Sequence, residues 1–452
     1  MKQIALLVMI VLVFTLSGCD KRTGRLRLLL GDDSLNEYVS VEKDSVTMFA
    51  SPSNRKKGIV ECRIYKEEYA TFVRMLRVLD DEAIRKAYRA KGAARFDPAF
   101  AEKIASMDDG AFRPGRVPGK PLAGLRVAID PGHSAGSMKE AKREGKYISM
   151  VSPEGRKVEF FESSLNLATA RALREMLERD GATVMLTREK NSQVYPVPFD
   201  RWVRTSFRES VQEKLRDKYI TPAAASRLLH RAGDRQRLKF FNSEYEMPYR
   251  ARLINAFRPH VTVLAHYDAS GGDEPFRTKY LRIKEIMAGN GNGEGLLDDV
   301  RWVIESIPET KRNFTTVFVP GCFLRGELET LESRIELLRL VLSDDLDESI
   351  RYSKFVVDNF SSYLDIQAAT DRFPGAYRTG ICRRGVYARN FRMTRLVRGP
   401  LCLGEPLQQN YMKEALRLSE IGTGKTPDRV LQVARAYYHA IRKYAGNRRT
   451  GR

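Results

Sequence analysis

A chain of 452 residues, 42% of them hydrophobic, can bury one large core or two smaller ones, and this excludes wholesale disorder. Lys and Arg number 78 against 57 Asp and Glu, a formal charge of +21. Such a surplus selects an anionic partner: nucleic acid, an anionic membrane surface, or an anionic polymer such as cell wall. No zinc-finger spacing or RNA-recognition signature accompanies the charge, so no nucleic-acid partner is expected.

The first element is an export signal. Met1-Lys2-Gln3 is followed by an apolar run from Ile4 to Leu16 and then Ser17-Gly18-Cys19, the positive start, apolar core and small residues of a cleavable leader. The run is short for a membrane span, which needs about 20 residues. Leu16-Ser17-Gly18-Cys19 resembles a bacterial lipobox, which implies a lipoprotein signal peptide over 1–18, cleavage before Cys19 and a membrane anchor through lipid on that cysteine. Asp20 resembles the inner-membrane retention signal of some Gram-negative lipoproteins. Cys62, Cys322, Cys382 and Cys402 fit no metal knuckle; an exported chain permits disulfides, and the sequence does not choose between pairing and buried free thiols.

Residues 19–113 read as an accessory region or tether, with strand character over Tyr38–Ala50 and helices over Glu67–Leu79 and Asp81–Lys91. The turn-rich 114–121 reads as a linker, and 122–446 as the main domain. From there strands and helices alternate: strand Leu125–Asp130, helix Ser163–Arg179, strand Ala182–Thr187, a helix near Tyr249–Phe257 and strand His260–His266. That order predicts an α/β fold, a mainly parallel twisted sheet covered by helices. Two stretches, about 189–248 and 270–350, read as helical and loop insertions on its rim, the second with predicted helices at Leu296–Ile307 and Glu327–Leu342. Gly289–Gly295 has the glycines of a phosphate cradle without its strand–loop–helix context, and reads as a turn. A helix at Ser353–Leu364, strand-like Gly385–Arg395, the apolar run Gly399–Gly404 ending at Glu405, and helices at Gln408–Ser419 and Asp428–Tyr444 complete the chain.

Chemistry concentrates where these elements end. His133 follows the strand Leu125–Asp130 in the turn Asp130-Pro-Gly-His133, Glu162 opens a helix, and His266 ends an apolar strand. Loops converge at such positions while strands stay rigid. Two imidazoles and a carboxylate make a three-ligand catalytic zinc set with one position left for water. Taken singly, His133 suits a turn and His266 a buried core; Glu154 and Glu159 compete with Glu162. His230, His260 and His439 have no evident partners and read as structural or exposed.

Asp130-Pro-Gly-His133, Glu162 before Leu165-Asn166-Leu167, Thr187-Arg188, Arg250 with Asn255, His266-Tyr267-Asp268 and Leu403-Gly404-Glu405, in this order, resemble the zinc-dependent N-acetylmuramoyl-L-alanine amidases of the amidase_3 type over roughly 122–446. The resemblance implies a Zn²⁺ cofactor on His133, Glu162 and His266, with Glu405 as catalytic acid/base. It further implies hydrolysis of the amide joining N-acetylmuramic acid to L-alanine in peptidoglycan. The chain departs from the family at Asp268, where Asn is usual, and at Ser134-Ala135-Gly136, where a glycine-rich stretch is usual. Asp268 is either a partner orienting an imidazole or a loop residue; Arg250 reads as a brace between helix and sheet. The basic stretch Lys139–Lys146 suits an anionic glycan or is a solvated loop. Together these readings imply an exported, membrane-anchored lipoprotein of the bacterial cell envelope, on the periplasmic side in a Gram-negative cell. Two alternatives stand beside it: a silent or partner-activated envelope lipoprotein that binds peptidoglycan, with a protein activator, and a zinc peptidase acting on stem peptides.

Overall fold

A computed structural model describes residues 21–449 except 112–116, 218, 270–275, 290–299, 301, 302, 304, 305 and 371–379. The leader, Cys19, the core of the Gly289–Gly295 turn and most of the helix expected at Leu296–Ile307 lie outside the described residues.

In chain order the strands are β1 (Val39–Val41), β2 (Ser45–Met48), β3 (Cys62–Tyr65), β4 (Arg126–Pro131), β5 (Tyr147–Val151), β6 (Lys157–Phe161), β7 (Thr183–Leu186), β8 (Val261–Ala265), β9 (Thr316–Pro320), β10 (Gly380–Arg383), β11 (Val386–Arg389) and β12 (Leu401–Glu405). A seven-stranded sheet has the order β10-β11-β9-β12-β8-β4-β7. Pairs β11/β9, β12/β8, β8/β4 and β4/β7 are parallel; β12/β9 and β10/β11 are antiparallel. The expected mainly parallel sheet is present, with β9 and β11 running against the rest.

Its strands are apolar on both faces because helices cover both. Val261, Val263, Val317, Val319 and Cys402 face one layer, which holds residues of the helices Glu162–Arg179, Asp345–Leu364 and Asp428–Arg449. The alternating residues Leu264, Phe318, Leu401 and Leu403 face the other, with Ala251 and Ile254 of the helix Met247–Phe257. Each buried Val, Leu, Ile or Phe among them contributes about 1.5–3 kcal/mol by leaving water.

Two readings are corrected. The stretch 270–350 is not simply a rim insertion: β9 lies inside the main sheet, between β11 and β12. Thr316-Val-Phe-Val-Pro320 is a short, uninterrupted apolar run, which periodicity alone cannot tell from part of a buried helix. Nor does the amino-terminal region hang as a tether. Leu29, Val46, Ile64 and Phe72 belong to the same core cluster as the sheet. Charged pairs reinforce this seam: Arg334 Nη2 with Glu61 at 2.7 Å, and Arg25 Nη2 with Asp347 at 2.8 Å.

The stretch 189–248 forms four helices around an aromatic cluster of its own, Phe199, Trp202, Phe207 and Phe241. Its entry and exit are stitched by Glu246, whose carboxylate accepts from Val194 N (2.9 Å) and Tyr195 N (2.8 Å). Cys62, Cys322, Cys382 and Cys402 are free thiols. No helix among the described residues is long and apolar enough to cross a membrane.

Candidate metal centre

Three adjacent parallel strands, β4, β8 and β12, end together. The register pairs Pro131 with Ala265 and Ala265 with Gly404, so His133, His266 and Glu405 leave the sheet at one level. Backbone bonds hold the ends in step: Gly132 N donates to Ala265 O (2.9 Å) and His266 N to Gly404 O (3.1 Å). Gly132 must be glycine, because a Cβ there would overlap the His266 ring.

His133 sits at φ 60°, a conformation L-residues rarely adopt. Two buried arginines clamp the turn. Arg250 donates to Pro131 O and His133 O, both at 3.0 Å, and pairs with Glu246 at 2.8 Å. Arg188 donates to Pro131 O and Gly132 O, both at 3.0 Å, and to Ser163 O at 2.8 Å. The Thr187 hydroxyl donates to the Asp130 carboxylate, completing the brace. Arg250 thus braces the turn itself through backbone carbonyls.

The antiparallel hairpin β5–β6 delivers the carboxylate: Phe161 ends it and Glu162, fully buried, begins the next helix. Glu162 Oε1 lies 3.3 Å from His133 Nε2 and 3.2 Å from His266 Nδ1, and the two rings meet edge-on at 5.0 Å. One ligand atom from each of the three residues lies within 4.8 Å of the others, the one such group among the described residues. Glu154 and Glu159 stay outside it. Glu154 is exposed at the hairpin turn and Glu159 is on the exposed face of β6, where it accepts from Ser149.

Charges around the cluster explain its protonation. Burial works against an ionised Glu162, yet His133 and Lys146 hold its carboxyl well below the usual range. Burial likewise opposes a charged His133, but the Glu162 carboxylate raises its pKa; His266 is lowered by burial and by His133. Glu405, at the end of β12, is pushed well above the usual carboxyl range by burial and by Asp268 and Glu162. Its Oε2 is buried without a hydrogen-bond partner.

Asp268 does not orient an imidazole here. Its carboxylate accepts from Gln408 Nε2 (2.9 Å) and Ala269 N (2.9 Å), locking the loop after His266 onto the segment after Glu405.

Two residues of the site belong to the stretch Lys139–Lys146, read from the sequence only as glycan-facing or solvated. Glu144 Oε1 lies 3.8 Å from His133 Nδ1, on the ring edge opposite Glu162. Lys146 Nζ lies 3.6 Å from Glu162 Oε2, and that carboxylate raises its pKa. Glu144 ends the helix Met138–Glu144, which is capped by Ser137 and closed by Gly145 in the left-handed conformation, and Lys146 follows it. The helical stretch 189–248 supports this wall: Arg143 pairs with Asp200 at 2.9 Å, and its guanidinium lies 4.8 Å from the Phe199 ring centroid. Ser137 and Gly145 are a readable capping pair; nothing in the spacing ties Glu144 to His133.

The donor set suits zinc. Ligands about 2.0–2.2 Å from a tetrahedral ion stand roughly 3.4 Å apart, close to the 3.2 and 3.3 Å separations seen here. His133 Nε2 is buried with no hydrogen-bond partner. His260, by contrast, accepts from Arg126 N through Nδ1 and meets Gly110 O through Nε2, both at 2.9 Å, so it is structural. His439 stacks on Tyr363 at 5.0 Å.

A family model described as N-acetylmuramoyl-L-alanine amidase matches residues 127–442. No curated protein matches the chain. Among solved structures, the N-acetylmuramyl-L-alanine amidase Ami1 from Mycobacterium smegmatis is 12% identical, aligned over 72% of this chain and 99% of its own, with a TM-score of 0.37. The CwlD amidase from Clostridioides difficile, solved with the GerS lipoprotein, is 14% identical over 71% of this chain and 98% of its own, TM-score 0.33. The catalytic domain of CwlV, N-acetylmuramoyl-L-alanine amidase from Bacillus (Paenibacillus) polymyxa, is 14% identical over 71% and 97%, TM-score 0.33.

Proposed function

Because the chain belongs to the N-acetylmuramoyl-L-alanine amidase family, we propose that it cleaves the amide between the lactyl group of N-acetylmuramic acid and L-alanine in peptidoglycan, with zinc held by His133, Glu162 and His266. The observation that carries this reading is the convergence of two imidazoles and a carboxylate at zinc-like separations at the sheet's carboxyl end. Zinc, when bound, polarises the scissile carbonyl and makes water a nucleophile near neutral pH.

The protein's own groups manage position and protons. Glu405 takes a proton from the attacking water and gives it to the departing L-alanine nitrogen. The carbonyl carbon gains an oxygen as its bond to nitrogen breaks, leaving a lactyl carboxylate and a free amine. Burial and the Asp268 and Glu162 carboxylates raise the pKa of Glu405, which makes its ionised form a stronger base toward the attacking water. Glu144, beside His133 Nδ1, orients that ring, while Arg188 and Arg250 fix the turn that carries it. The cationic surface, of formal charge +21 over the chain, would hold the enzyme near anionic envelope polymers. Lipid at Cys19 would keep it exported and membrane-anchored, the basic surface adding to what a single acyl chain provides.

Digestion of purified peptidoglycan tests the reaction. Mass spectrometry should find stem peptides with free L-alanine amino termini and peptide-free glycan, and Glu405→Ala should lose both products. Cleavage within the stem peptide instead would identify a peptidase.

A further inference from the structure

Away from the metal centre, the amino-terminal helices, the helix Leu331–Leu342 and the segment Arg392–Arg398 enclose a cavity of about 480 Å³. Most of the cations around it are spoken for. Arg339 pairs with Asp345 at 2.5 Å, Arg398 with Asp81, and Arg392 donates to Ser243 O at 2.7 Å.

Arg395 is different. It is 6% exposed, and its Nε and Nη1 are buried with no hydrogen-bond partner. Its Nη2 comes only within 3.7 Å of Glu327 Oε1, whose carboxylate already accepts from Leu324 N (2.7 Å) and Asn390 Nδ2. The guanidinium carbon lies 5.1 Å from the Phe323 ring centroid, which fixes its position without satisfying its donors. Buried donors on a charged group are costly to leave unmade, and native proteins rarely do so without an ordered water, an ion or a ligand.

A second acid adds little to the long contact with Glu327. Glu336 lines the same cavity, and neither a hydrogen bond nor an ion pair to its carboxyl is found among the described residues. Burial raises its pKa despite the nearby arginines, which weakens it as a counter-charge. The lining carries seven basic side chains against five acidic ones, so the cavity has a surplus of positive charge.

We propose that this cavity binds a small oxyanion, a carboxylate or phosphate group, with Arg395 as its principal donor. Guanidinium geometry suits both kinds of group. This site shares no ligand with the metal centre, so its occupancy does not depend on zinc.

Titration calorimetry on metal-free full-length protein, with inorganic phosphate and separately with N-acetylmuramate, tests the proposal and separates the two sources. At least one should bind with one site per chain. Arg395→Met, which keeps the packing on Phe323 and removes the donors, should weaken it at least about tenfold. His266→Ala should bind as wild type does. If Arg395→Met does not fold, Arg395→Lys, which keeps the charge with fewer donors, should still bind more weakly than wild type. Equal binding by wild type and a folded Arg395 variant, loss of binding in His266→Ala, or no heat from either anion up to about 10 mM would overturn the site.

Discussion

Strand β8 carries a histidine at each end, and the two do opposite work. His260 precedes it, 6% exposed, with each ring nitrogen engaged by backbone: the Arg126 N–H on one side, the Gly110 carbonyl on the other. That pattern fixes one neutral tautomer, and burial pushes the pKa down to about 4. His266 follows the strand and turns Nδ1 toward Glu162 Oε1, with His133 edge-on beside it. An imidazole saturated by backbone groups ties elements together; one that shares a carboxylate with a second imidazole is available to a cation. Parallel sheets place the second kind at their carboxyl ends, where loops from neighbouring strands converge.

Exchanging the fates of these two rings is the strongest way to break the comparison. His266→Ala should lose both bound zinc and turnover, whereas His260→Ala should keep zinc at one per chain. Metal analysis after dialysis, together with glycan-release assays, checks both; zinc retained by the His266 variant would sink the ligand assignment. Next in size is Glu405→Gln, which removes the proton carrier and leaves the metal set intact. Turnover should fall by about 10²–10⁴-fold, with zinc content unchanged.

The difference between the two histidines was only partly legible in the sequence. His133, Glu162 and His266 each stand at the boundary of an element with a clear pattern, and such boundaries are what hydrophobic periodicity detects. The sheet itself followed from strand–helix alternation. What escaped depended on tertiary partners. β9 is a five-residue apolar run between helical patterns, and its place inside the sheet comes from pairing with β11 and β12. The hairpin β5–β6 was given no strand reading, although Val158 and Phe160 alternate with exposed Lys157 and Glu159. Glu144 meets His133 because the helix Met138–Glu144 folds back over the turn, which no spacing rule reports. His260 lacked a sequence partner because its two acceptor and donor groups are backbone atoms of Arg126 and Gly110.

Gly132→Ala sharpens the carboxyl-end half of the comparison without touching a ligand. The added methyl would overlap the His266 ring and push it from Glu162. Displaced or poorly supported ligands typically lose about 10–100-fold in metal affinity. Competition with a zinc chelator measures this; affinity equal to wild type would show that the ring is not held against the turn as described.

The smallest effect belongs to the other end of β8 and appears only in acid. In the unfolded chain His260 takes a proton near pH 6.5, whereas in the folded protein it resists until about 4. Protons therefore bind the unfolded state preferentially across that window, and the folded state loses stability as pH falls from 6.5 toward 4. Above pH 6.5 both states are neutral there and the penalty vanishes. His260→Gln retains a donor and an acceptor but does not titrate, so the stability lost between pH 7 and 4.5 in urea unfolding should be smaller than in wild type. Zinc content and turnover at pH 7 should stay as they were. Parallel losses in the two proteins would mean that the ring at this end of the strand is not held neutral by its backbone partners.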